Sequence, residues 1–135
     1  MFFNKKKPAR EFKVGIEKDI TIKDCGSIHL EADEQVSFIT DKNAEYDVVR
    51  KSWGFYATPS TNKRLKEFGL RAALVKNSHN NYFIMLVEKG FEDDFFEYGD
   101  YTTQEACEAN GSSEAAGDGV WYGPTCQSVL WIPEG

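Results

Sequence analysis

Residues 70–87, which read LRAALVKNSHNNYFIMLV, decide the fold of this chain. Two apolar runs, at 70–75 and 82–87, flank the polar tetrapeptide at 78–81. Turn-forming residues between two short apolar runs are typical of a β-hairpin. The second run, YFIMLV, carries no charged residue, so we expect a central strand that is covered on both faces.

Alternation of apolar and polar residues predicts further strands on the N-terminal side of this hairpin. Residues 12–23 and 28–32 alternate in this way, and a third strand begins within 36–39. A period of two is the pattern of half-buried antiparallel strands. The turn-forming segments at 24–27 and 33–34 separate these runs, so residues 12–39 indicate a β-meander.

The middle of the chain combines strand and helix signals. Residues 46–58 form a long β-prone run, and Gly54 inside it suggests a bulge or a close approach of the backbone. Ser60 or Thr61 is suited to cap a short helix over 62–68, with Gly69 just after its end.

Two later segments complete the secondary-structure prediction. Phe91, Phe95 and Tyr98 recur at helical spacing, which predicts a second helix with an acidic opposite side. A capping-box pattern at 102–105 suggests a third. Residues 127–132 favour a last strand, whereas 110–119 are rich in Gly, Ser and Ala and indicate a mobile loop.

These signals predict a mainly β protein, an antiparallel sandwich or partly closed barrel with two or three short helices. The alternative is an α+β fold with helices over one sheet face. We expect residues 1–10 to form a flexible basic tail, since four cations fall between Lys5 and Arg10. Residues 11–135 should then form a single domain with its mobile loop at 110–119.

Composition narrows the classes of partner. The chain of 135 residues carries a net charge of -6, and a surface of this sign repels phosphate backbones. We therefore expect no nucleic-acid partner. No apolar run reaches the length of a membrane helix, and Phe2 and Phe3 precede the lysines, the reverse of a signal peptide. The prediction is a cytoplasmic protein without membrane insertion.

The three cysteines give no evidence of a metal or redox centre. Cys25, Cys107 and Cys126 lie far apart and form no CxxC pair. We expect free thiols in a reducing cytosol, and a bond between Cys107 and Cys126 would need the chain between them to fold back. The sequence also lacks the P-loop, GxGxxG, HExxH and EF-hand motifs, so we expect no catalytic residues, no metal and no cofactor.

Residues 51–77 hold the densest set of chemically useful side chains. Aromatic faces stand beside hydroxyls, amides and cations there, a combination that suits sugar C–H faces and hydroxyl groups. The predicted ligand-binding residues are Trp53, Tyr56, Thr58, Ser60, Asn62, Arg64, Arg71 and Lys76. The structural alternative is that Trp53 and Phe55 belong to the core and Ser60 only caps a helix.

The same region resembles a family. The stretch WGFYATPSTN at 53–62, with FGLR at 68–71 and LVKN at 74–77, is similar to small bacterial proteins associated with surface-polysaccharide synthesis. The resemblance covers about residues 46–98 and brings no catalytic motif. The Gly- and Ser-rich stretch at 110–119 looks like an added segment.

Three functions remain open at this point, of which a small enzyme with a cysteine or carboxylate centre ranks last. The first is a non-catalytic binding or accessory module for a carbohydrate or a nucleotide-sugar, as the resemblance implies. The second is a structural or interaction protein, such as an assembly subunit of a phage or a bacterial complex. The partner is accordingly a sugar or a protein, and a homo-oligomer is one form that the second function would take.

Overall fold

The computed structural model describes residues 1–14, 20–77, 80–98, 120–122 and 128–135. Two compact units make up the chain. The first comprises Met1–Phe38 and Tyr46–Thr58, and the second comprises Ile39–Glu45 and Pro59–Gly135. The sequence predicts a single domain because a chain of 135 residues fits one. Each unit draws on two separate stretches of chain, so their boundary does not coincide with one linker that composition could reveal.

The described residues form nine strands and two short helices. In chain order they are β1 (Phe2–Val14), β2 (Ile20–His29), β3 (Gln35–Ile39), β4 (Glu45–Lys51), β5 (Gly54–Ala57), α1 (Arg64–Glu67), β6 (Leu70–Lys76), β7 (Tyr82–Glu88), α2 (Glu92–Tyr98), β8 (Val120–Tyr122) and β9 (Ser128–Trp131). The strands assemble into three sheets, ordered β1-β2, β3-β4-β5 and β7-β6-β9-β8. This confirms the mainly β prediction, and within the described residues no sheet closes into a barrel.

The first sheet includes the residues for which the sequence predicts a flexible tail. Residues 2–10 belong to β1, which pairs antiparallel with β2 from Phe2 opposite His29 to Val14 opposite Ile20. The lysines interrupt the alternation of apolar and polar residues by which a strand is predicted from sequence. They are tolerated in β1 because this two-stranded ribbon is exposed.

The predicted turn at 24–27 is also wrong, because these residues lie inside the continuous strand β2. The irregularity falls on the partner strand instead. Lys5 pairs with Gly26 and Arg10 pairs with Asp24, so residues 6–9 bulge opposite the single residue Cys25. Glycine and small polar residues are common in both bulges and turns, so the sequence at 24–27 does not distinguish the two.

The second sheet contains a tight hairpin. Lys51 of β4 pairs with Gly54 of β5, which leaves only Ser52 and Trp53 in the connection. Gly54, where the sequence suggests a bulge, instead begins β5 with a φ of 142°, a conformation open chiefly to glycine. The sheet is tied internally by Ser37 of β3, whose hydroxyl donates to the buried carboxylate of Asp47 on β4.

The third sheet is centred on β6, which pairs with β7 on one side and with β9 on the other. Its buried cluster consists of Ala73, Val75 and Val129, and the half-buried Met85, Phe95 and Trp131 pack against it. The prediction of a covered central strand at 82–87 is therefore wrong. Among the described strands β7 lies at an edge, and Ile84 is 78% exposed.

The two helices follow the predictions in position but not in detail. Gly69 has the positive φ expected just beyond the end of α1. No side-chain cap begins this helix; the carbonyl of Ser60 accepts from the N–H groups of Lys63 and Leu65 instead. The helix α2 and the strand β9 confirm the predictions for 91–98 and 127–132.

Several predictions fall outside the described residues. These are the loop at 110–119, the helix start at 102–105, and Cys107 and Cys126. Residues 120–122 form the short strand β8.

The close approach of Asn4 to Gly26 provides a test of the β1–β2 pairing. A Cβ at Gly26 would clash with the main-chain oxygen of Asn4, whereas a Cβ at Gly54 would meet no described atom within 4 Å. Both glycines have a φ near 145°, at 146° and 142°. Alanine at either position should therefore cost about 1–3 kcal/mol of backbone strain.

Gly26→Ala should lower the free energy of unfolding by at least about 1 kcal/mol more than Gly54→Ala, because only the first adds a steric clash. Urea unfolding of the two variants measures this difference. Equal losses would show that β1 does not lie against Gly26.

Candidate functional site

The β4–β5 hairpin presents two predicted site residues together. The rings of Trp53 and Tyr56 stack with centroids 6.1 Å apart and planes 27° apart. Trp53 is 70% exposed and Tyr56 is 45% exposed. The core alternative for Trp53 is wrong, because the tight connection places it in the turn and not on a strand face.

An ion pair flanks the aromatic rings. The ammonium group of Lys51 donates to the carboxylate of Asp33, which lies in the turn before β3. That hydrogen bond is the main cause that raises the pKa of Lys51, followed by the charge of Asp33, with a smaller contribution from Tyr56. The hairpin thus offers two ring faces with a fixed cation and a carboxylate beside them.

Thr58, the third site residue of the first unit, has a structural role. Its N–H donates to the carbonyl of Asp47, and its hydroxyl lies 3.5 Å from the side-chain oxygen of Gln35. These contacts hold the end of β5 against β4.

The other five predicted site residues lie in the second unit, and they do not form one cluster with a shared cavity. Ser60, Asn62 and Arg64 are exposed around α1, and the guanidinium of Arg64 lies 5.2 Å from the ring centroid of Phe68. Lys76 is half-buried at the end of β6.

Arg71 borders a cleft of about 270 Å³ in the second unit, which Val87, Lys89, Glu92, Trp131 and Glu134 also line. Its guanidinium lies 4.4 Å from the ring centroid of Trp131. Glu134 contacts two cations, with distances of 3.2 Å to Arg71 Nε and 3.1 Å to Lys89 Nζ.

Sequence reasoning did not find the partners of these residues. Asp33 lies 18 residues from Lys51 along the chain, and Glu134 lies still farther from Arg71 and Lys89. Only the pairing of strands distant in sequence places these charges together, and no local spacing signals it.

Comparison with protein-family models, with curated proteins and with solved structures finds no match to this chain. The chemical reading of both surfaces accordingly depends on their geometry.

Metal ligands, membrane-spanning helices and free thiols are further features that bear on function. Across the described ranges, no three His, Cys, Asp or Glu side chains come close enough together to hold a metal ion. Neither α1 nor α2 has the length and apolar character to span a membrane, a finding limited to the part of the chain that is described. The thiol of Cys25 is free and exposed.

Two of the basic N-terminal residues pair with one carboxylate. Lys6 Nζ lies 2.6 Å and Arg10 Nε lies 3.4 Å from Asp24 Oδ2, while the N–H of Gly26 donates to Oδ1 at 3.2 Å. The hydrogen bond from Lys6 is the largest cause that lowers the pKa of Asp24, and the hydrogen bond from Gly26 is the second. These contacts stabilise the bulge between β1 and β2.

The Asp24 carboxyl should therefore titrate below its unfolded value of about 3.9, as an NMR pH titration would show. Because the folded pKa is lowered, the stabilisation is present above the unfolded pKa and is lost as pH falls through the folded one. Lys6→Gln should raise the midpoint, while Lys5→Gln, as a control, should not. An unchanged midpoint in Lys6→Gln would contradict the pairing.

Proposed function

We propose that this protein is a non-catalytic binding module that recognises a carbohydrate, free or as a nucleotide-sugar, through Trp53 and Tyr56. The observation that carries the proposal is the exposed stack of these two rings on the β4–β5 hairpin. The resemblance of residues 46–98 to proteins associated with surface-polysaccharide synthesis supports the same class of ligand.

The chemistry of the hairpin fits a sugar. Packing an exposed aromatic face against an apolar surface is favourable, because it removes apolar area from water. The C–H face of a sugar ring provides such a surface. Sugar hydroxyls both donate and accept hydrogen bonds. Asp33 supplies carboxylate oxygens as acceptors, and the Lys51 ammonium supplies donors.

The arrangement is also largely preformed. The two-residue connection fixes Trp53 relative to Tyr56, and the Lys51–Asp33 pair joins the hairpin to the turn before β3. A preformed surface loses less side-chain entropy on binding than a flexible one does. The exposed hairpin therefore favours recognition of a ligand.

Ligand-induced stabilisation tests the proposal. The wild-type protein should be stabilised by UDP-N-acetylglucosamine or by a short oligosaccharide, by about 2.7 kcal/mol at 100 times the Kd. Trp53→Ala and Tyr56→Ala should abolish the thermal shift while changing the melting temperature of the free protein little, because both side chains are exposed.

Phe55→Ala is the matched control. Phe55 is 64% exposed on the same hairpin, but successive strand residues face opposite sides, so it lies away from Tyr56. This variant should retain the ligand-induced shift. If wild type responds to neither a nucleotide-sugar nor an oligosaccharide, the carbohydrate function is excluded. If Phe55→Ala loses the response equally, Trp53 and Tyr56 do not form the binding face.

A second candidate, an interaction protein, is favoured by the β1–β2 ribbon. Phe3 and Ile28 are direct cross-strand partners, and they are 50% and 43% exposed. Neighbouring Phe2 stacks on His29 with centroids 4.4 Å apart and is 59% exposed. A cluster of exposed apolar side chains is typical of a protein-binding surface.

If the ribbon mediates self-association, the mass of wild type in sedimentation should rise with concentration. Phe3→Ser and Ile28→Ser should reduce that rise, because they remove apolar area from the surface. Asn4→Ser, a polar change at the adjacent position of β1, should not. A monomeric mass at all concentrations would exclude homo-oligomer formation through this ribbon.

A further inference from the structure

We propose that the cleft bordered by Arg71 and Lys89 is a binding site for the oxyanion of a small ligand, a carboxylate or a phosphate. In the structure the side chain of Glu134 takes the place of that anion. The site lies wholly in the second unit and does not depend on the carbohydrate function proposed for the hairpin.

The position of Glu134 shows what the two cations are arranged to hold. Arg71 Nε is 3.2 Å from Oε1 and Lys89 Nζ is 3.1 Å from Oε2, so each carboxylate oxygen faces a different cation. Arginine and lysine converging on one pair of oxygens is the arrangement by which proteins bind carboxylates and phosphates.

Arg71 is oriented before any ligand arrives. Its guanidinium lies over the ring of Trp131, 4.4 Å from the centroid, and this cation–π contact restricts its rotation. Trp131 is itself held by Phe95 and Phe96 of α2, with ring centroids 5.6 Å and 6.3 Å away. The cation therefore sits on a packed support.

Glu134 is an imperfect occupant of the anion position. Arg71 Nε is shielded from solvent yet has no hydrogen-bond partner of adequate geometry among the described atoms, although Glu134 lies 3.2 Å away. A shielded N–H that is left unsatisfied costs free energy. A better-aligned oxyanion would satisfy this donor, which gives a ligand an advantage that Glu134 lacks.

Size and charge define the ligand. The cleft has a volume of about 270 Å³, with the buried Val87 on its wall, so a monosaccharide-sized molecule fits better than a dinucleotide. Arg71 and Lys89 contribute two positive charges, and Glu92 and Glu134 contribute two negative ones. Displacement of Glu134 leaves one net positive charge, which favours a ligand bearing a single anionic group.

Calorimetry on the full chain with glucuronate and with glucose 6-phosphate tests the proposal, with glucose as the neutral probe. Glu134→Gln removes the competing anion, so it should bind at least one of the two anions at least tenfold more tightly than wild type does. Binding of glucuronate alone would identify a carboxylate site, and binding of the phosphate alone a phosphate site. Glucose should not bind this cleft in any variant.

Matched variants separate the cleft from overall charge. Glu67→Gln makes the same change in net charge on α1, outside the cleft, and should leave affinity unchanged. Adding Arg71→Gln or Lys89→Gln to Glu134→Gln should weaken binding at least tenfold, with an unchanged circular dichroism spectrum. Lys89 is 45% exposed, so its replacement keeps the test valid if the Arg71 variant unfolds.

Three results would overturn the proposal: no anion binding by Glu134→Gln, an equal gain in Glu67→Gln, or no loss on replacing Lys89. The double variant Trp53→Ala/Tyr56→Ala keeps the cleft intact and should bind the anion like its parent. Failure of the hairpin in its own sugar-binding test would therefore leave this result unaffected, and the reverse also holds.

Discussion

The pairing of β6 on both of its edges is the constraint on which the second unit depends. Ala73 stands opposite Met85 on one side and Trp131 on the other, and it is 1% exposed. A small side chain between two large ones lets the neighbours close over the strand. Val75 and Val129 extend the same buried row.

Both candidate surfaces follow from strand pairing of this kind. Arg71 shares a face of β6 with Ala73 and Val75, so its aliphatic stem leaves the core where its guanidinium reaches Trp131. In the first unit, the pairing of Lys51 with Gly54 shortens the connection to two residues and thereby exposes Trp53. In each case the candidate binding residue lies where regular strand pairing ends, and the paired strands hold it in position.

The sequence predicts local features well and non-local ones poorly. The helix at 91–98, the strand at 127–132 and the glycine after α1 depend on the spacing of nearby residues, and the structure confirms them. The apolar run at 82–87 was placed at the sheet centre because periodicity reports hydrophobicity but not neighbours. The run at 70–76, which includes charged residues, is instead the inner strand β6. Its alanines leave room for side chains of the neighbouring strands β7 and β9, which lie elsewhere in the sequence.

The candidate residues divide in the same way. Trp53, Tyr56 and Arg71 were identified by residue type, and the structure places all three at or near the surface. Their charged neighbours Asp33, Lys89 and Glu134 were missed, because each meets its partner across strands that are distant in sequence. The eight predicted residues were expected to form one site, and they are instead divided between two compact units.

The two edges of β6 become paired at different times during synthesis, because β7 follows β6 closely in the chain and β9 follows much later. Until β9 is made, the edge of β6 that pairs with it is open to other strands. Because Val129 of β9 belongs to the buried cluster with Ala73 and Val75, the core of the second unit is completed only after this late strand has been synthesised.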